Sequence, residues 1–221
     1  MSVSIRAWKK NIVETARYLA SRGWAEAGAG NISVAVNYQT RKHELKTGDN
    51  VDFTRDVNIL ATSSGSRFRK LGLDEIGLVT IDSSTNQIFH NFKSKKPTSE
   101  VLAHLLVHSK SVKSDHLAVV HCHTTSTVAL THKLHDNLSI QLMKMHTEME
   151  YYFPSGICHL DAHKPGSCEL AKETAKAFES GFRFIVWPHH GVVAIADSLD
   201  GCVDMIEAVE KAATMWLYLN P

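Results

Sequence analysis

The chain has 221 residues, with 24 Lys and Arg against 23 Asp and Glu and a formal charge of +1. So nearly neutral a balance excludes binding led by counterion release from nucleic acid or by attraction to an anionic membrane, and no apolar run reaches the length of a bilayer span. Residues 1–10 lack the apolar core and cleavage pattern of a secretory signal, so a cytoplasmic location with no nucleic-acid or membrane partner is expected.

Ile5, Trp8, Ile12, Ala16 and Leu19 recur at helical spacing, which predicts an amphipathic helix over about 4–22, stopped by Gly23. Residues 32–36 alternate as a strand after Gly28-Ala29-Gly30-Asn31. The polar segment 37–58, which contains Gly48-Asp49-Asn50, is expected to be a hairpin-like excursion or a mobile loop. Residues 57–62 predict a strand running into Ser63-Ser64-Gly65-Ser66, and 77–82 and 87–90 predict two more. Beyond a basic linker at 93–97, Thr98-Ser99-Glu100 opens a helix carrying Leu102, Leu105 and Leu106, with Thr98 or Ser99 as its N-cap.

An apolar strand ending in His121-Cys122-His123 follows, then a helix over 125–134 and a short strand closed by His159 and Leu160. A helix over 169–180 ends at Gly181. Strands at 182–187 and 192–196 are joined by Pro188-His189-His190-Gly191, and a last helix covers 199–219. Helices and short strands alternate without a strict βαβ rhythm, and two joints read as hairpins. That pattern predicts an α/β fold with a mixed or largely antiparallel sheet covered by helices, in one domain over 1–221.

In a strand, side chains two apart share a face about 6.6 Å apart, so His121 and His123 can converge on one divalent ion while Cys122 faces away as a small buried hydrophobe. The four cysteines form no Cys-x-x-Cys pair and are expected to be reduced. Alone, the histidine pair reads equally well as a polar pair on an exposed strand face. His190 lies in a tight turn where the following glycine permits a close backbone approach; only one of His189 and His190 can face a common ion. Glu100, on local grounds, is a helix-dipole or capping-box carboxylate, of interest only if the helix start faces the histidine strand. Of the 14 histidines, His43, His90, His104, His108, His132 and His135 sit among polar neighbours or on predicted helices and are expected to have no part in a site. Gly28-Ala29-Gly30-Asn31 and Thr62-Ser63-Ser64-Gly65-Ser66 offer backbone amides and hydroxyls as anion cradles, and neither matches the Walker or dinucleotide pattern.

Taken in order, Gly30-Asn31-Ile32-Ser33, Thr62-Ser63-Ser64-Gly65, Pro97-Thr98-Ser99-Glu100, His121-Cys122-His123 and Pro188-His189-His190-Gly191 resemble the class II aldolase/adducin family over nearly the whole chain. Phe153-Pro154-x-Gly156 and Val186-Trp187-Pro188-x-His190-Gly191-Val192 resemble most its branch acting on L-rhamnulose 1-phosphate. The resemblance implies a three-layer α/β/α fold with a central, mostly antiparallel sheet. It implies one Zn2+ per subunit held by His121, His123 and His190, with Glu100 as a further ligand at rest and the catalytic base in turnover. A phosphate pocket from Asn31, Ser64, Gly65 and Ser99 is implied as well, and Glu148 is matched to a family glutamate that reaches a neighbouring subunit's site in a homotetramer. The implied reaction is reversible cleavage of a phosphorylated ketose to dihydroxyacetone phosphate and L-lactaldehyde through a metal-stabilised enediolate. The sister aldolase for L-fuculose 1-phosphate, a pentulose-phosphate 4-epimerase and a sugar-phosphate dehydratase share such a core. A non-catalytic adducin-like interaction module would lack it. The chain is shorter than the rhamnulose-phosphate enzymes, and His189 stands where they carry an aromatic residue.

Overall fold

The structure, a computed structural model, describes residues 4–47, 51–111, 117–134 and 137–221; Gly48-Asp49-Asn50 and His135 lie outside the described residues. In chain order the elements are α1 (Ile5–Ser21), β1 (Asn31–Ala35), β2 (His43–Leu45), β3 (Val57–Thr62), β4 (Ile76–Asp82), β5 (Gln87–His90), α2 (Val101–Lys110), β6 (Ala118–Cys122), α3 (Thr125–Thr131), α4 (Leu138–Met143), α5 (Met149–Tyr152), β7 (Cys158–His159), α6 (Cys168–Glu179), β8 (Phe184–Trp187), β9 (Gly191–Ala196) and α7 (Leu199–Leu219). Among the described residues, nine strands form one sheet in the order β2-β5-β4-β3-β1-β6-β9-β8-β7. Neighbours are antiparallel throughout except β7 with β8.

Strand alternation sorts the core into two layers. Ile32, Val34, Leu60, Val120 and Ala194 face one side, where α1 and α7 bury Ile12, Leu19, Ile206 and Val209. Ile59, Val79, Val119 and Val193 face the other, against Leu105 of α2 and Leu170 and Phe178 of α6. This is the expected three-layer α/β/α arrangement with a mostly antiparallel sheet. Cys122 belongs to the α1/α7 layer, away from the histidine face.

The sequence-based elements differ from the structure in several places. Segment 37–58 contains β2, a three-residue strand that extends the sheet edge by pairing with β5. Two short helices, α4 and α5, occupy a stretch with no expected element. The buried pairs Leu138 and Leu142 of α4, and Met149 of α5 with Phe153 just past its end, each span one turn, too short a window for periodicity to declare itself. Helix α3 stops at Thr131, whose hydroxyl donates back to the Val128 carbonyl and accepts the His189 N–H (3.0 Å). The N-cap of α2 is Glu100, not Thr98 or Ser99, and it makes no side-chain cap bond. Residues 97–99 are instead tied to the end of β3, with the Thr98 N–H donating to the Thr62 carbonyl (3.1 Å), which turns the Glu100 side chain away from its own helix end.

Candidate metal centre

Strand β6 lies between β1 and β9, with Asn31 beside His121 and Val193 on its other flank. The His121 ring is buried on the α2-facing side of the sheet. His123 follows the strand end, where its N–H donates to the Trp24 carbonyl (2.8 Å). Glu210, buried on α7, accepts from the N–H groups of Ser126 and Thr127 at 2.8 and 2.9 Å and so anchors the start of α3 directly after His123. His190 arrives from the β8–β9 turn. Gly191 makes that approach possible: a Cβ there would stand 2.5 Å from the Cys122 carbonyl oxygen and 2.8 Å from His121 Cε1.

One ligand atom from each of His121, His123 and His190 lies within 4.8 Å of the other two. The Glu100 carboxylate faces the same point, with Oε2 3.6 Å from His121 Nε2 and Oε1 3.4 Å from His190 Nε2. Donors in a tetrahedral shell with bonds of about 2.0–2.1 Å stand about 3.3–3.4 Å apart, so these separations suit neighbouring ligands of one ion. The orienting hydrogen bonds agree. His121 Nδ1 donates to the Val192 carbonyl (3.0 Å) and His123 Nδ1 to Glu26 Oε1 (2.7 Å), leaving each Nε2 as a lone-pair donor. His121 Nε2 is buried with no hydrogen-bond partner. An orphaned acceptor facing two imidazoles and a carboxylate fits a divalent cation.

Burial pushes the His121 imidazole down to about 3, with the charge of His123 adding to it; burial, then His121, push His190 to about 4. Both rings are therefore neutral and free of a competing proton at ordinary pH. Burial raises Glu26, but its hydrogen bond with His123, a backbone hydrogen bond and the neighbouring imidazoles together outweigh this, leaving it below the usual carboxylate range. Trp187 backs the cluster, its ring centroid 4.6 Å from that of His121 and 5.2 Å from that of His190, and its indole N–H donates to Thr174 Oγ1 (3.0 Å).

A cavity of about 130 Å³ opens on these donors, and Asn31, Ser64, Gly65 and Ser99 all line it with Glu100 and the three histidines. Gly30 (φ +82°) and Gly65 (φ +68°) turn its walls through left-handed backbone that suits glycine. The Asn31 amide is engaged at both ends: Nδ2 donates to Glu100 Oε2 and Oδ1 accepts from His104 Nε2. His104 and His108, expected to have no part, are buried, His104 bonded to Asn31 and Ser33 and His108 to Ser33. Glu26, Trp187 and Glu210 support the centre although sequence spacing assigns none of them a role. Glu148 stands outside the cavity in the single chain, with its side chain 63% exposed and paired with His146 (3.0 Å). His189 turns outward at φ +60° and meets His132 (3.1 Å), leaving His190 alone of the two at the cluster. A larger groove of about 590 Å³ between α1 and α7 carries Glu14 and Asp200 but no histidine.

An α/β/α fold with this donor set at a strand end defines a candidate metalloenzyme. The family profile described as Class II Aldolase and Adducin N-terminal domain matches residues 10–217, and the chain belongs to this family as an enzyme of its aldolase class. It is 28% identical over 214 residues to rhamnulose-1-phosphate aldolase of Salmonella paratyphi B, covering 87% of this chain and 78% of that protein. A sugar-phosphate aldolase from Thermotoga maritima superposes with a TM-score of 0.85 at 31% identity, covering 97% of this chain and 95% of the other. L-fuculose-1-phosphate aldolase from Thermus thermophilus shares the fold, with a TM-score of 0.71 at 20% identity over 95% and 92% of the two chains. Among the described residues, no helix is long and apolar enough to cross a membrane.

Proposed function

We propose that the protein is a cytoplasmic, zinc-dependent aldolase that reversibly cleaves L-rhamnulose 1-phosphate to dihydroxyacetone phosphate and L-lactaldehyde. The observation that carries this reading is the convergence of His121, His123, His190 and Glu100 on one point beside a glycine- and serine-walled cavity. The likeness to the Salmonella rhamnulose-1-phosphate aldolase supports the choice of sugar.

His121, His123 and His190 would hold one zinc ion per subunit, with Glu100 completing the shell at rest. A divalent cation there supplies Lewis-acid stabilisation of negative charge on substrate oxygens. Ser64, Gly65, Ser99 and Asn31 bind the phosphate, which lies away from the reacting bond and orients the substrate. In the synthetic direction Glu100 takes a proton from the carbon beside the carbonyl of dihydroxyacetone phosphate; in cleavage it returns that proton to the same carbon. The exposed Glu148 assists proton transfer at the aldehyde half from a neighbouring subunit of a homotetramer, and the chain acts as one domain over 1–221.

The test is zinc-loaded protein assayed against a panel of ketose 1-phosphates for release of dihydroxyacetone phosphate. L-Rhamnulose 1-phosphate is expected to give the highest kcat/KM. Preference for L-fuculose 1-phosphate overturns the substrate, and no release from any member overturns the lyase reading.

A further inference from the structure

Asn31 and Ser33 stand two residues apart on β1, while Glu100, His104 and His108 stand four apart at the cap and along α2. A strand repeats on one face about every 6.6 Å, and four helical residues rise about 6 Å. The two rows therefore interleave. Glu100 Oε2 meets Asn31 Nδ2 (2.5 Å), Asn31 Oδ1 meets His104 Nε2 (2.5 Å), His104 Nδ1 meets Ser33 Oγ (2.7 Å), and Ser33 Oγ meets His108 Nε2 (2.8 Å). All five residues are buried.

The donor and acceptor inventory allows this row one direction. An ionised Glu100 only accepts, so the amide NH2 of Asn31 must face it and the amide oxygen must face His104. His104 then carries its proton on Nε2, which leaves Nδ1 to accept from the Ser33 hydroxyl. Ser33 oxygen in turn accepts from His108 Nε2–H. Every donor points toward Glu100, an arrangement in which successive hydrogen bonds polarise one another. The far end of α2 is fastened as well, by the Arg55 guanidinium donating to the His108 carbonyl (3.0 Å).

We propose that Asn31, His104, Ser33 and His108 form a one-way hydrogen-bond chain that holds the Glu100 carboxylate in the orientation its proton transfer requires, with His104, Ser33 and His108 as positioning residues. This rests on Glu100 being the base. The row does not carry protons, because the Asn31 amide neither gains nor loses one in turnover.

Long-range 1H–15N correlation of the histidine rings in the wild-type protein tests the direction. Both His104 and His108 are expected as neutral Nε2–H tautomers, and an Nδ1–H tautomer at either overturns the proposal. Kinetics tests the role. His104→Phe is expected to slow solvent-hydrogen exchange into dihydroxyacetone phosphate about 10–100-fold, the scale of a lost orienting partner, with KM little changed. His104→Gln, which can donate from its amide and accept from Ser33, is expected to recover most of the rate. In a Glu100→Gln background His104→Phe should slow exchange no further. Wild-type exchange in both His104→Phe and Ser33→Ala overturns the proposal, and Ser33→Ala serves alone if His104→Phe does not fold. If Glu100→Gln by itself leaves exchange unchanged, the base assignment fails, and the positioning role with it. The tautomer result still reports the direction of the row on its own.

Discussion

Gly191→Ala adds a single methyl group where β9 leaves the turn that carries His190. That carbon would sit 2.5 Å from the Cys122 carbonyl oxygen, 2.8 Å from His121 Cε1 and 3.0 Å from His123 Cδ2. Carbon–oxygen contacts settle at about 3.3–3.6 Å, so close to 1 Å of relief is needed. The carbonyl belongs to β6 where Cys122 pairs with Val192, and it cannot swing away without breaking the ladder. The His190 turn must move instead. Metal sites tolerate roughly 0.2 Å in bond length, so a shift of that size displaces one ligand. We expect the metal-free variant to lose about 1–3 kcal/mol of stability from overpacking, and zinc affinity to fall by at least about 10–100-fold. Competitive chelator titration reads the affinity, thermal melts read the stability, and far-ultraviolet circular dichroism checks that the sheet remains. Wild-type zinc affinity in a folded Gly191→Ala protein would refute the claim that the turn is seated against the histidine strand to build the site.

Glu100→Gln keeps the size of the side chain and removes the base, so solvent-hydrogen exchange into dihydroxyacetone phosphate should slow by about 10²–10⁴; exchange at the wild-type rate removes Glu100 from the role. Glu26→Ala deletes the partner of His123 Nδ1, and zinc affinity should drop about 10–100-fold with little change in melting temperature, since the Glu26 side chain is 63% exposed; unchanged affinity shows that His123 orients itself. Burial, with the Arg55 charge adding, pushes His108 from its ordinary value of 6.5 to about 3. The native metal-free protein thus leaves this ring unprotonated while the unfolded chain protonates it, and stability falls as pH drops from about 6.5 toward 3. At pH 4.5 this one group costs about 3 kcal/mol relative to pH 7. His108→Phe should flatten the denaturant-measured loss between those pH values by roughly one proton, and an unaltered slope counts against a buried neutral ring.

Where the sequence was legible, long periodic patterns or local stereochemistry made it so. Helix α7 occupies 199–219 as its apolar spacing predicts, and α1 begins at Ile5 behind its Ser4 cap. The His121-x-His123 pair on an apolar strand and the glycine after His190 announced a convergence that the structure contains. What remained hidden depends on partners distant along the chain. Glu26 meets His123 across 97 positions from a loop with no motif of its own, and nothing in local spacing couples them. His104 and His108 did leave a signal. Steps of four from Glu100 match the step of two from Asn31 to Ser33, but recognising the match requires knowing that β1 lies against α2. The short elements β2, α4 and α5 depend on the edge or core they dock against, and that information is tertiary.

X-ray absorption at the zinc edge of the purified, zinc-loaded protein asks directly which atoms surround the ion. The donors should be three imidazole nitrogens with carboxylate oxygen at about 2.0–2.2 Å, at one zinc per chain. A sulfur donor near 2.3 Å, a shell with fewer than three imidazoles, or no stoichiometric zinc at all contradicts a centre built from His121, His123, His190 and Glu100.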